Sequence, residues 1–369
     1  MDDAVRPAWW IYRGTGHPRA RPLGDDLPPP PPWRDFRGGP LQPDPPDDED
    51  GLVRRLGTSG GAPASREEAN AVNAALYLRR PLLVTGPPGV GKSSLAYRIS
   101  RELRLGRVLR WPISSRTAVA HGLYSYDPIG RVHDLAAERG GPGEASAPAA
   151  EGAAPAAAGG EDIGDYLRLG PLGTVLLAHR LPRVLLVDEI DKGDLDLAND
   201  LLDVLEEGEF RIPELTRRRI AAHEVEVPTD DPGRRAPIAG GRVACRAFPL
   251  IVMTSNGERE FPEAFKRRCL HLDMGHPDEE RLAAMVAAHF ERRFAGTGNA
   301  EEAGEQARRL VHRFLERRLE AGGLTPDQLL NSVHIATSAP GAADGEAWDE
   351  LLDFLWRRVT GPEVRDTWA

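Results

Sequence analysis

At 369 residues, with 40% hydrophobic and 28% charged content, the chain is long enough for two domains with sizeable cores. A net charge of −10 argues against a general nucleic-acid binder, which normally shows a basic face, though a local basic channel stays open. Cys245 and Cys269 as the sole cysteines, no apolar run near the roughly 20 residues that cross a bilayer, and an acidic start "MDDAVRPAWWIYRG" lead us to expect no disulfide framework, no membrane span, no secretory leader and a cytoplasmic address.

Residues 1–62 are rich in Pro, Gly and Asp and read as an extended arm. Trp9, Trp10, Trp33 and Phe36 are unusual in a pure linker and point either to docking on the folded part or to a partner. From 63 to 275, helices alternate with apolar strands. "SREEANAVNAALYLRR" is helical, with Ser65 placed to cap it and Glu68 at capping-box spacing. "PLLVT", "RVLRWPI", "RVLLVD" and "FPLIVMTSN" are short, near-continuous apolar runs, as parallel strands covered on both faces require. Residues 140–161 are low in complexity and read as a loop, and "FRIPELTRRRIAAHEVEVP" reads as a hairpin insertion. From 276 to 369 the pattern is helical only. Leu282, Met285, Val286, Phe290 and Phe294 share one face, the core of a small helical domain.

"GPPGVGKS" follows a predicted strand and opens a helix, the context that makes G-x-x-x-x-G-K-[ST] a phosphate-binding loop. Gly86, Gly89 and Gly91 allow close backbone approach; in the loop that runs through Pro87 and Pro88, which have no N–H, the N–H groups of Gly86, Gly89, Val90, Gly91, Lys92, Ser93 and Ser94, with the helix N-terminus, receive the anion. Lys92 would reach the β- and γ-phosphates, and Ser93 would ligate Mg²⁺. Lysine is rare here, at Lys92, Lys192 and Lys266 only, and Lys92 stands where a compact ammonium suits phosphate.

"VLLVDEID" brings Asp188 to a strand end, where it suits the Mg²⁺ shell; Glu189 beside it can polarise water as general base. Asp191 and Lys192 read at least as readily as an exposed ion pair as they do as catalytic groups. "IVMTSN" ends a further strand at Asn256, whose amide can orient the water or simply make a turn. In "FPEAFKRRCL", Arg267 and Arg268 are candidates for an arginine that completes a neighbouring subunit's site, or are surface arginines. Tyr124 and Tyr126 read more readily as packing against the sheet than as lining a channel.

In this order and spacing the segments resemble the AAA+ ATPases, and within them the MoxR type. The likeness runs from about residue 65 to 340 and rests on "GPPGVGKS", "YLRLGPLGTVLLAH", "VLLVDEIDK", "LANDLLDVLEEGEFRIP", "TSN" and "FPEAFKRRCL". It implies an α/β fold, a P-loop three-layer αβα parallel sheet followed by a small helical lid domain. It also implies ATP and Mg²⁺ as ligands, and hydrolysis in a ring, usually a hexamer, with each site completed by its neighbour. Arg268 falls on the finger, with Arg267 a close second. One departure is Asp327, which stands in "LTPDQLL" where the lid of such proteins usually places an arginine.

The leading expectation is therefore a chaperone-like ATPase that remodels a protein client. The resemblance makes that client a von Willebrand factor A domain protein, in the manner of bacterial conflict systems. The alternatives are an ATP-gated scaffold with weak hydrolysis, favoured by Asp327, and a nucleic-acid motor, disfavoured by the acidic charge.

Overall fold

The computed structural model describes residues 7–21, 23–58, 63–139, 163–216, 224–296, 300–321, 323–338 and 345–357. The low-complexity stretch 140–161 and part of the proposed hairpin insertion, 217–223, lie outside them.

Two helices, α1 (Glu49–Leu56) and α2 (Arg66–Leu78), precede β1 (Leu82–Thr85) and α3 (Lys92–Leu103). Next come β2 (Leu109–Pro112), α4 (Val119–Leu123), β3 (Tyr124–Tyr126), α5 (Pro128–Arg139), β4 (Leu167–Leu169) and α6 (Pro171–Val175). The chain continues through β5 (Val184–Asp188), α7 (Leu195–Glu207), β6 (Glu209–Arg211), β7 (Glu224–Pro228), β8 (Arg235–Ala239), β9 (Arg242–Ala244) and β10 (Leu250–Ser255). After α8 (Glu263–Arg268) and β11 (Leu270–Asp273) the rest is helical: α9 (Glu279–Gly296), α10 (Ala300–Ala321), α11 (Pro326–Ser338) and α12 (Glu346–Leu355).

Five of these strands form one parallel sheet in the order β11-β1-β10-β5-β2. Leu82–Val84, Val184–Val187 and Leu250–Met253 are all buried, so the sheet is covered on both faces, which is why these strands carry no polar alternation. One core layer gathers Leu83, Trp111, Leu185, Leu201 and Ile251; the other gathers Val72, Leu82, Leu95, Ile99 and Leu186. The fold class expected from sequence, a three-layer α/β sheet followed by lid helices, is the one present. Register sets the important edge: Thr85 is level with Ser255, Met253 with Val187, and Pro112 with Asp188, so the phosphate loop, Asp188 and Asn256 leave the sheet side by side.

The lid helices have their own core, with Leu282, Val286, Phe290, Phe314, Leu329, Val333 and Trp348 buried together and Met285 packed against them. The Phe294 side chain is outside the described set. Tyr124 and Tyr126 pack against the main core: the Tyr124 ring stacks at 6.4 Å on Phe210, and its hydroxyl donates to Glu214 Oε2 at 3.0 Å. The insertion before β10 is a hairpin of β7 and β8, preceded and followed by the paired β6 and β9.

The N-terminal arm docks along the core as a belt. Ile11 N and Tyr12 N donate to Asn73 Oδ1 in α2 at 2.7 and 2.9 Å, and Arg13 N and Thr15 N donate to Glu102 in α3 at 2.5 and 2.7 Å. Farther on, Arg34 Nη1 donates to Leu205 O at 2.7 Å, capping the end of α7, and Phe36 stacks on Phe248. Gln42 N then reaches Ala178 O at 2.9 Å and Arg234 Nη1 donates to Asp44 O at 2.8 Å, before α1 returns to lie on α3. Proline suits this path, because a residue with fixed φ loses little entropy on docking and has no N–H to leave unpaired. Trp10 donates from Nε1 to Asn70 at 3.0 Å, whereas Trp33 stays 77% exposed.

Belt, core and lid meet at Glu68, which is buried. Its Oε1 accepts from Tyr12 Oη at 3.2 Å and from Arg98 of α3, and its Oε2 accepts from Arg281 of α9 at 3.1 Å. Burial alone would raise this carboxyl; Arg98 and Arg281 override it and hold its pKa below the ordinary value. Replacing Glu68 by Ala removes the carboxylate that Arg98 and Arg281 share and is expected to cost about 3–5 kcal/mol, read as a lower urea midpoint. Because the folded pKa is depressed, the stabilisation is full above the ordinary carboxyl pKa of 4.5 and is lost as pH falls through the folded value. The gap between parent and Glu68→Ala therefore narrows on acidification; a gap independent of pH would rule out the charge as its origin.

Candidate functional site

The phosphate loop runs between β1 and α3, and Gly86, Gly89 and Gly91 all adopt positive φ (143°, 78° and 96°), as a loop that turns its N–H groups inward demands. A second constraint acts at Gly89, where a Cβ would sit 2.9 Å from Thr325 Cβ, so the lid residue just before α11 rests directly on the loop. Asp327, in the first turn of α11, is exposed.

Lys92 is buried, and its ammonium donates to Gly86 O at 2.7 Å, Pro87 O at 2.8 Å and Asn256 Oδ1 at 2.7 Å. Burial lowers its pKa, and the charges of Asp191, Glu189 and Asp188 oppose that shift. The geometry thus brings Lys92 and Asn256 into direct contact. An anion entering the loop would take the ammonium from two carbonyls that hold it only as neutral acceptors.

Asp188 ends β5, buried, with every side of its carboxylate engaged. Oδ1 accepts from Ser93 Oγ at 2.7 Å and Thr254 Oγ1 at 2.9 Å, while Oδ2 accepts from Arg110 Nε at 3.1 Å and Nη2 at 2.7 Å. Burial would raise this acid; the bonds from Ser93, Arg110 and Thr254 keep it below the usual range and so ionised. A carboxylate and hydroxyls in one cluster form the hard-oxygen set that Mg²⁺ prefers, and Mg²⁺ usually completes its shell with waters and phosphate oxygens. No group of three or more His, Cys, Asp or Glu residues able to hold a metal occurs among the described residues. The residues Ser93 and Asp188 fit the ion.

Glu189 has φ 61° and ψ 51°. Among the described residues, the other non-glycine residues with positive φ, Arg79 and Arg104, close helices; Glu189 lies between a strand and a turn. This conformation costs roughly 1–2 kcal/mol for a side chain with a Cβ, and it is held by Glu189 N donating to Thr254 Oγ1 at 2.8 Å and by Lys192 N donating to Glu189 O at 3.0 Å. Strain retained at a half-exposed carboxylate beside the phosphate loop is characteristic of a reactive position. Lys192 Nζ lies 2.7 Å from Glu189 Oε2.

Of the two readings open for Asp191 and Lys192, an exposed ion pair does not describe Asp191, and Lys192 pairs with Glu189. Asp191 is buried, and its Oδ2 accepts Asn256 N at 2.8 Å and Glu258 N at 3.1 Å. It fixes the loop that presents Asn256, because backbone N–H groups without a strand partner need an acceptor. Sequence reasoning missed this, and missed Arg110 and Thr254 too; a polar Thr at the end of an apolar strand was a usable signal, whereas Arg110 carried none.

Arg267 and Arg268 lie at the end of α8, both exposed and outside this cluster of contacts. Arg268 Nε donates to Glu206 Oε1 at 2.9 Å, while Arg34 takes Glu206 Oε2 at 3.1 Å. Arg80 Nε donates to Arg268 O at 3.1 Å, and its Nη2 to Arg267 O, clamping the helix end. No helix among the described residues is long and apolar enough to cross a membrane.

A family model described as an AAA domain of the dynein-related subfamily matches residues 81–269, which span the phosphate loop, Asp188, Asn256 and both arginines. Among solved structures, the crystal structure of the FIGL-1 AAA domain in complex with ADP is similar at 15% identity and a TM-score of 0.34, over 77% of this chain and 74% of that one. No curated protein matches the chain.

Proposed function

Because the chain belongs to the AAA domain family, dynein-related subfamily, we propose that it is a MoxR-type ATPase that hydrolyses ATP in an oligomeric ring to remodel a protein client. The observation that carries this reading is the meeting, at one edge of the sheet, of the phosphate loop, the Ser93–Asp188 pair and the left-handed Glu189. Residues 63–275 are the nucleotide-binding domain and 276–369 the lid; the N-terminal arm, 1–62, is the belt.

In this mechanism the N–H groups from Gly86 to Ser94 and the start of α3 receive the phosphates, with Lys92 leaving its loop carbonyls for the terminal phosphate oxygens. Ser93 and Asp188 would hold Mg²⁺, which when bound would neutralise charge on the phosphates. Glu189 takes the proton of the attacking water, and Asn256, tethered through its backbone to Asp191 and through its amide to Lys92, positions that water. The exposed arginine at the end of α8 completes the neighbouring protomer's site. A cytoplasmic von Willebrand factor A domain protein is the proposed client, a choice that rests on the resemblance of the motifs.

The test is ATPase activity measured across protein concentration. Turnover per subunit that rises with concentration supports the shared site, and concentration-independent turnover by a monomer rejects it. The second reading, an ATP-gated scaffold with weak hydrolysis, is favoured by two observations: Lys192 holds Glu189, and the acidic Asp327 stands on the lid helix that touches the loop. ATP-dependent assembly with negligible turnover would select it.

A further inference from the structure

Arg110 lies on β2, the edge strand beside β5, two positions before the residue level with Asp188. Its guanidinium reaches along the strand and places both Nε and Nη2 on a single oxygen, Asp188 Oδ2. The other oxygen faces Ser93 and Thr254. The pair is unequal: the Asp188 side chain is 9% exposed and the Arg110 side chain 45%. A buried carboxylate therefore has its charge balanced by a cation whose own side chain is nearly half exposed to solvent.

A divalent ion bound by Asp188 and Ser93 would share that carboxylate with the guanidinium, and like charges so close repel strongly where water is scarce. Two roles are then physically distinct. If Arg110 only orients the carboxylate, its loss leaves Asp188 misplaced and weakens metal binding. If it is a competing cation, its loss frees the carboxylate and strengthens metal binding. The geometry favours competition, because Ser93 and Thr254 already fix Asp188 through Oδ1 and Arg110 is not needed for its placement. Other charges nearby have partners of their own: Lys92 donates to the loop carbonyls and Asn256, Asp191 accepts from Asn256 N and Glu258 N, Glu189 is held by Lys192, and Arg55 stacks over Tyr97 with its guanidinium carbon 4.5 Å from the ring centroid.

We infer that Arg110 is an internal counter-cation that competes with Mg²⁺ for Asp188 and so sets how tightly the site holds its metal. This rests on the nucleotide-site reading above. Its consequence is a site that keeps its carboxylate ionised and paired when metal-free, and that gives up metal more readily than the bare oxygen ligands would.

The experiment uses the full chain with saturating ADP and titrates Mn²⁺ by electron paramagnetic resonance, which counts free ion and requires no turnover. ADP uptake is followed separately by calorimetry, and folding by thermal denaturation. Arg110→Met removes the charge and keeps the apolar stem; Arg110→Gln removes the charge and keeps a hydrogen-bond donor. Both variants should bind Mn²⁺ about tenfold more tightly than the parent, an increment of ~1.4 kcal/mol, and Arg110→Lys should stay close to the parent. Unchanged or weaker Mn²⁺ binding in both neutral variants, with ADP uptake intact, overturns the inference alone. Failure of the parent chain to take up ADP overturns the nucleotide reading and this inference with it.

Discussion

Glu189→Gln is expected to bind ATP as the parent does and to turn it over about 10² to 10⁴-fold more slowly, the usual contribution of a general base. The amide is isosteric, so the left-handed backbone at this position and its bond to Thr254 Oγ1 carry over unchanged. What the substitution removes is the basic oxygen, together with the exposed ion pair to Lys192, and exposed pairs contribute roughly 0–1 kcal/mol. The reading is therefore clean: a loss of turnover without a loss of affinity isolates proton abstraction. Turnover within a few-fold of the parent would mean that water is activated elsewhere. Stalled on ATP, the same variant should also retain the proposed client, so it doubles as bait that tests whether a von Willebrand factor A domain protein binds.

A larger effect is expected at the end of α8. Arg268→Ala should lower turnover by about 10³ to 10⁵-fold, the range associated with an arginine supplied across a subunit boundary, while leaving ATP binding by the isolated chain intact. Glu206 orients the Arg268 guanidinium and Arg80 clamps the backbone beneath it, and the exposed pair with Glu206 costs little to break. Arg267→Ala, one position away, should have the smaller effect. The decisive measurement mixes Arg268→Ala with Glu189→Gln. Each is inactive alone, but a ring that alternates them places an intact base opposite an intact arginine and regains activity. A mixture no better than the sum of its parts would exclude a site built from two protomers. A larger loss at Arg267 would exchange the two roles.

Most of the site was legible because its chemistry is local in sequence. A phosphate loop needs glycines, lysine and a hydroxyl at fixed spacing, and Asp188 with Glu189 need only an apolar strand before them. The buried strands and lid helices announce themselves by apolar runs and periodic faces. What escaped depends on contacts across the fold. Asp191 beside Lys192 looks like a surface pair, and only the register of β5 against β10 brings it under Asn256. Arg110 is one arginine among many in a chain poor in lysine, and nothing short of β2 pairing with β5 aims it at Asp188. The belt was legible only in part: its aromatic residues pointed to docking as one of two readings, but not to the surface they would meet. Proline-rich sequence describes an extended backbone correctly but carries no record of the distant carbonyls it will meet.

That belt has a consequence for how the molecule is made. The acceptor that Arg34 needs lies 171 residues downstream, the partner of Asp44 lies 190 downstream, and that of Thr58 lies 230 downstream. The later part of the belt thus cannot fasten until those distant segments exist, whereas Ile11 and Tyr12 need only α2 and Thr15 only α3, and closing the longer loops is the slow part of folding. A stretch poor in apolar residues and rich in proline tolerates the wait without aggregating. Anchored at one end on α2 and α3 and at the other on segments far along the chain, it is the buckle that ties early and late elements together.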